Sequence, residues 1–252
     1  MGPSDADFYN LFNLFDYIMA KNALLILYGE SFRLGGQSTR NRGSVESYEA
    51  QMKAAQTHIN FIKHLQTKQI NMVVSINSYT TQYEDNLMGI YNDVLYDGIF
   101  YHDLIGQSKL IHNCVDRINE DYFDFILCMR IDLFLKDRFL EIFNPDSDKI
   151  LFPSICFEPH DKCGIHPRVN DMMMFVPKKY ISFLKEKKFN LFHDTWKNLI
   201  EDFNLDYSDL DMMLNTYHDS DSEKDYNPIY YIVNRPENNN HRTKKIFDKY
   251  NF

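Results

Sequence analysis

The chemistry open to this chain begins where one apolar run stops. Residues 123–129 are apolar apart from Asp124 and lead straight into Arg130, Ile131 and Asp132. Such a run predicts a buried strand. A charged group just past its end stands on a rigid support, at the end of the sheet where α/β proteins bind ligands. Asp132 placed there can ligate a divalent cation whose charge offsets a diphosphate. Arg130 can meet phosphate directly, because a guanidinium offers two parallel hydrogen bonds. An ion pair between Arg130 and Asp132 or Asp137 is the alternative, since such pairs also populate strand ends.

Two other apolar runs end in polar groups. Ala23 to Tyr28 stops at Gly29 and opens a loop to Gly43 that carries Arg33, Arg40 and Arg42. Arg33 stands nearest the strand and is the one expected to face a nucleotide; a solvated loop suits the others. Around the end of the run Asn71 to Ile76 come Ser75, Asn77 and Ser78. They suit either the base or ribose of a nucleotide or an ordinary turn.

These groups need elements to hold them. Val45, Tyr48, Met52, Ala55, Ile59 and Ile62 recur at helical spacing behind Ser44, a good N-cap. Tyr83, Leu87, Ile90 and Val94 predict another helix, and residues 98–101 a weaker strand. Ile150 to Phe152 and Met172 to Val176 are further apolar segments, followed by a lysine-rich helix opened by Pro177 and an amphipathic helix over 191–203. Ser208 and Asp211 have the spacing of a capping box ahead of a helix bearing Leu210, Met213, Leu214 and Tyr217. Strands alternating with helices predict an α/β fold: one Rossmann-like domain with a mostly parallel central sheet flanked by helices. Phe8, Leu11, Phe12, Phe15 and Ile18 mark residues 1–22 as a helical extension docked on the domain at 23–252.

Bulk properties narrow the partners. Hydrophobic residues make up 44% of the 252 and aromatic residues 15%. That is enough to build a large core. A net charge of -9 leaves room for one local positive pocket. It disfavours a nucleic-acid partner, whose phosphates it would repel. No run reaches the roughly 18 apolar residues of a membrane span. The acidic N-terminus does not read as a signal peptide, and four cysteines do not make a disulfide framework, so a cytoplasmic location is expected. Neither a P-loop nor a Gly-x-Gly-x-x-Gly fingerprint is present.

The stretch 123–133 resembles the centre of GT-A-type nucleotide-sugar glycosyltransferases, where a strand ends in an Asp-x-Asp motif that binds a metal and the donor diphosphate. Its Arg-x-Asp variant is similar to one in transferases of bacterial polysaccharide synthesis and of large algal DNA viruses, so a viral protein acting in the host cytoplasm is one expectation. Residues 169–175, with Asn170 and Asp171 ahead of three methionines, resemble the acidic step beside the acceptor in those families. Residues 27–33 resemble their first strand and nucleotide-binding turn, Gly29 included. The matches run in order from about residue 23 to 185.

The resemblance implies a GT-A-like domain with a nucleotide-binding part near 23–135 and an acceptor-side part near 136–252. It implies transfer from a nucleotide sugar, UDP-linked by preference, to a glycan or glycoprotein. Gly29, Arg33, Ser75, Asn77 and Arg130 would hold the donor, and Asp132 would ligate Mn or Mg or orient the sugar. Asp171 would be the base of an inverting displacement, or else a cap; Asn170 would bind a hydroxyl or shape the turn. Arg130 replaces the first Asp of the motif, and an arginine repels a cation while taking over part of its function.

Cys156, His160, Cys163 and His166 can all ligate zinc, but their spacing is tighter than a finger's and no second pair lies across an element. An acceptor-side loop is the preferred reading, with His160 or His166 touching sugar or serving as an alternative base. His241 to Lys245 form a basic stretch suited to a lid over the diphosphate or to a tail. The rival to an enzyme is a non-catalytic nucleotide- or glycan-binding module stapled by zinc.

Overall fold

The computed structural model of the protein describes residues 21–34, 41–103, 105–154, 169–186, 196–214 and 229–233. The expected extension at 1–20, the Cys156 to His166 cluster and the basic stretch 241–245 lie outside them.

Strand β1 (Lys21–Gly29) forms the centre of a seven-stranded sheet. Leu24, Ile26 and Tyr28 pack on one face of it and Ala23, Leu25 and Leu27 on the other. Burial on both faces is why its sequence is apolar without alternation. β4 (Ile70–Tyr79) and β6 (Phe125–Arg130) flank β1, both parallel to it, and β5 (Leu95–His102) follows β4 in parallel. Beyond β6 come β9 (Met173–Pro177), β8 (Ile150–Phe152) and β10 (Leu210–Met212). The order is β10-β8-β9-β6-β1-β4-β5, and β9 alone among these seven runs against its neighbours. This is the expected α/β architecture.

Two small sheets sit above the large one. β2 (Arg33–Leu34) pairs with β3 (Asn41–Arg42), and β7 (Leu133–Leu135) with β11 (Tyr230–Ile232), both antiparallel. Helix α1 (Val45–Thr67) covers the face of Leu25 and Leu27, and α2 (Glu84–Tyr91) packs beside it. The other face carries α3 (Gln107–Val115), α5 (Ile181–Glu186) and α6 (Trp196–Phe203); a short α4 (Asp137–Ile142) closes the first face. No described helix is long and apolar enough to cross a membrane.

Three expectations need correction. The inner face of α1 is Ser47, Gln51, Ala54, Ala55, His58, Phe61, Ile62 and Leu65, shifted round from the predicted stripe, and Val45 is 66% exposed. Polar residues occupy core positions there, so the apolar spacing misjudged the face; the Ser44 cap is as expected, its Oγ accepting from the Ser47 amide. Residues 210–212 are a strand, not a helix. The capping box forms two residues earlier, between Asp206 and Asp209, around a single 3-10 turn. Pairing of Leu210 with Ile150 then outweighs helical continuation. Finally, β4 runs on to Tyr79, so Ser75 and Asn77 lie inside the strand and not beyond it.

Candidate functional site

The strand order reverses between β1 and β6. From β1 the chain moves outward through β4 and β5, then returns to β6 on the other side. Ligands in open α/β sheets bind at such a switch point. Two turns meet there. The first leaves β1 through Gly29, at φ 110°. That is a backbone L side chains rarely adopt. Phe32 follows at φ 51°. Such a value strains a residue that carries a side chain. The Phe32 carbonyl accepts from the Gly43 amide at 3.1 Å, which closes the loop and turns Arg33 inward on β2.

The second turn leaves β6. Arg130 is backbone-bonded to Met172 at 3.0 Å, and the Ile131 amide to the Tyr28 carbonyl at 2.8 Å, so the motif is fixed from both sides. Arg130 clasps Asp132: Nε donates to Oδ1 at 2.9 Å and Nη2 to Oδ2 at 2.5 Å. Arg33 Nη2 lies 3.8 Å from the same carboxylate, and its Nη1 lies 3.2 Å from Glu30. Two guanidiniums and two carboxylates thus form one buried network, Arg130 being 4% exposed and Asp132 2%. Burial disfavours the charge on Arg130, but Asp132 outweighs that and holds the guanidinium above its ordinary pKa. The ion-pair alternative from the sequence is therefore what the structure contains, placed at the expected end of the strand.

Because β9 is reversed, its beginning lies at the same end of the sheet. The Tyr28 hydroxyl donates to the Asp171 carbonyl at 2.5 Å. Burial, and then the charge of Asp171, push the Tyr28 pKa up, and the same charge acts on Arg130. Asp171 is half-buried. Asn170 is buried, and its amide is engaged locally: Nδ2 donates to Ser154 Oγ at 3.1 Å and Tyr230 at 3.3 Å, while Oδ1 accepts from the Met172 amide. The last of these bonds closes the turn that leads into β9.

A cavity of about 190 Å³ opens beside the network, lined by Glu30, Ser31, Gly43, Thr80, Thr81 and Gln82. Ser31 and Ser78 share a hydrogen bond at 2.9 Å, and Ser78 also donates to the Gly29 carbonyl. Among the described residues the lining offers hydroxyls, an amide and a carboxylate, which suit a hydroxyl- and amide-bearing group.

Gly29, Arg33, Arg130, Asp132, Asn170 and Asp171 are thus brought together. Ser75 is not: it lies in mid-strand against α3, with the Cys114 thiol 3.0 Å away. Asn77 sits beside Tyr28 in register, its Oδ1 accepting from His102 at 3.1 Å. His160 and His166 fall outside the described residues. Sequence reasoning gives Glu30 and Ser31 no role of their own, although their place directly behind Gly29 is the available signal. Gln51 and His58 were missed because polar residues on a helix read as its wet side.

A divalent cation does not fit the donor set at Asp132. Both carboxylate oxygens are engaged by Arg130, a second guanidinium lies 3.8 Å away, and no group of three or more His, Cys, Asp or Glu gathers among the described residues.

No family model matches this sequence, and no curated protein does. Among solved structures the chain is similar to 4-diphosphocytidyl-2C-methyl-D-erythritol synthase from Anaerococcus prevotii, at 12% identity and TM-score 0.44, covering 76% of this chain and 86% of that one. It is similar to Drosophila β-1,4-galactosyltransferase 7, seen with manganese, UDP-galactose and xylobiose, at 13% identity and TM-score 0.41, covering 91% and 77%. A glycosyltransferase involved in glycosylating the major capsid protein of PBCV-1 matches at 8% identity and TM-score 0.33, covering 66% and 64%. These likenesses assign no role to any residue.

Proposed function

We propose that this chain is a glycosyltransferase that takes a sugar from a nucleotide sugar, UDP-linked by preference, and passes it to a hydroxyl of a glycan or glycoprotein. The observation that carries the reading is the pair of guanidiniums, Arg33 and Arg130, held by carboxylates at the switch point between β1 and β6 and next to a polar cavity. In this reading the cavity takes the nucleoside and the guanidiniums take the diphosphate. The clasp on Asp132 uses Nε and one Nη2 hydrogen of Arg130, which leaves the Nη1 pair for a phosphate oxygen.

Asp171 then removes the proton of the acceptor hydroxyl as its oxygen attacks the anomeric carbon. The bond to the diphosphate breaks on the opposite face, which inverts the configuration. Arg33 and Arg130 stabilise the charge that develops on the leaving group. Asp132 keeps Arg130 aimed through its two hydrogen bonds. Mn or Mg, if used, would need ligands besides Asp132.

The mutual burial of Arg130 and Asp132 favours a second reading, a module that binds nucleotides without transfer. Calorimetric titration of the full chain with UDP, GDP, CDP and their sugars, with Mn or with chelator, separates the two. Binding of one nucleoside diphosphate, release of that diphosphate from its sugar, and loss of turnover in Asp171→Asn support the transferase. Binding without any turnover supports the module. Failure to bind any of them, in either metal condition, sinks both.

A further inference from the structure

Helix α1 spends polar side chains where a helix facing a sheet ordinarily places apolar ones. Gln51 is 2% exposed and His58 fully buried. Gln51 Oε1 accepts from the Phe32 amide at 3.3 Å, in the turn after β1, and its Nε2 donates to the Ile131 carbonyl at 2.8 Å, in the turn after β6. One side-chain amide therefore spans the switch point and joins its two turns. Two helical turns on, along the same face, His58 Nε2 lies 2.7 Å from the Leu133 carbonyl and Nδ1 2.8 Å from the Tyr91 hydroxyl. A carbonyl only accepts, so Nε2 carries the proton and Nδ1 accepts from Tyr91. Beside it, Thr57 Oγ1 accepts from the Leu135 amide at 3.0 Å. The backbone of residues 131, 133 and 135 is held at each step by α1, and Asp132 lies between the first two.

Apolar side chains at 51 and 58 would cover the same backbone but leave the Phe32 amide without Gln51 and the two carbonyls without their donors. Hydrogen bonds add direction, since they weaken steeply with misalignment, whereas apolar contact tolerates sliding. We propose that Gln51 and His58 are positioning residues that keep Arg130 and Asp132 in register with Arg33, so that both guanidiniums face one diphosphate. The proposal rests on the transferase reading above.

Its test uses the full chain carrying Gln51→Met or His58→Phe, which remove the hydrogen bonds at similar volume. Ile62→Val, a buried substitution on the same helix, is the control. Amide hydrogen exchange should rise about fivefold at residues 29–33 and 130–133 together in the Gln51 variant, and at 131–133 in the His58 variant. UDP-glucose turnover should fall by up to about 100-fold in kcat, with KM nearly constant. Ile62→Val should do neither. Should a variant fail to fold, Tyr91→Phe removes only the hydroxyl that orients the His58 ring and should raise exchange at 131–133 alone.

If Gln51→Met and His58→Phe merely lower the melting temperature, with exchange in both turns and kcat at parental values, the two residues fill space and the proposal is wrong. A parental chain that binds no nucleoside diphosphate refutes the transferase reading instead. The exchange measurement then still decides whether Gln51 ties the turns together.

Discussion

On the face of the sheet covered by α1, the polar groups facing the switch point meet backbone partners: Gln51 both turns, His58 the Leu133 carbonyl, Thr57 the Leu135 amide. On the face covered by α3 the polar side chains meet chiefly one another, Arg117 also donating to the Asn113 carbonyl. Arg117 bonds Asp97 at 3.0 Å and stacks on Phe100, and His102 bonds Asn77. There Asn77 Nδ2, Asp97 Oδ1 and Gln107 Oε1 are buried with no hydrogen-bond partner among the described residues. Backbone partners fix where a chain segment lies, whereas side chains bonded to side chains can rearrange together. The first face therefore specifies geometry and the second tolerates change; buried groups like those three are ordinarily completed by ordered water.

The largest effect is expected at the buried ion pair where the two turns meet, in Arg130→Ala. It removes the guanidinium that clasps the buried Asp132 and should cost about 3–5 kcal/mol in urea unfolding. Arg130→Met with Asp132→Leu should recover most of that loss. An effect of Arg130→Ala below about 1 kcal/mol, the level of an exposed pair, would mean that burial adds nothing to this pair.

Next comes pH. His58 is held neutral, its pKa lowered to about 4 by burial, against the hydrogen bond to Leu133 and the charge of Asp132, while Tyr91 faces its other nitrogen. A depressed pKa means the unfolded chain binds the proton first. The stabilisation is thus complete above about pH 6.5 and is lost as pH falls through about 4, on the order of 3 kcal/mol. The difference between parental and His58→Gln unfolding profiles measures it; parallel profiles would place His58 outside the α1 clamp.

Gly29→Ala tests the seam between the faces. A methyl there meets Gln107 Nε2 at 3.7 Å, an ordinary contact. The expected loss of about 1–3 kcal/mol therefore comes from backbone strain alone. The smallest effect belongs to the second face. Asp97→Asn breaks a partly exposed pair. It should change stability by no more than about 1 kcal/mol. A loss as large as that of Arg130→Ala would erase the distinction.

Much of this was legible in the sequence because burial on both faces leaves a plain mark. β1 and β6 stand out as apolar runs, and the polar groups at their ends fell where the strand order makes a ligand site. Most of what stayed hidden shares one cause, polar side chains at buried positions. Gln51 and His58 shifted the apparent face of α1, and Ser75, Asn77 and Ser78 made β4 look shorter than its ten residues. The strand at 210–212 was hidden for another reason, since its pairing with β8 is a long-range fact that three residues cannot announce. The cluster around His160 and His166 bears on residues the structure does not describe.

The methionines that lead into β9 have a further consequence. Every residue of Met173–Pro177 is buried. No alternation of apolar and polar side chains therefore tells this strand how far to slide along β6. A slip of one residue would turn each side chain to the opposite face and carry Asp171 away from Arg130. The bonds that tie the strand's start to its neighbours, the Tyr28 hydroxyl to the Asp171 carbonyl and the Arg130 amide to the Met172 carbonyl, act as the stop that sets its alignment.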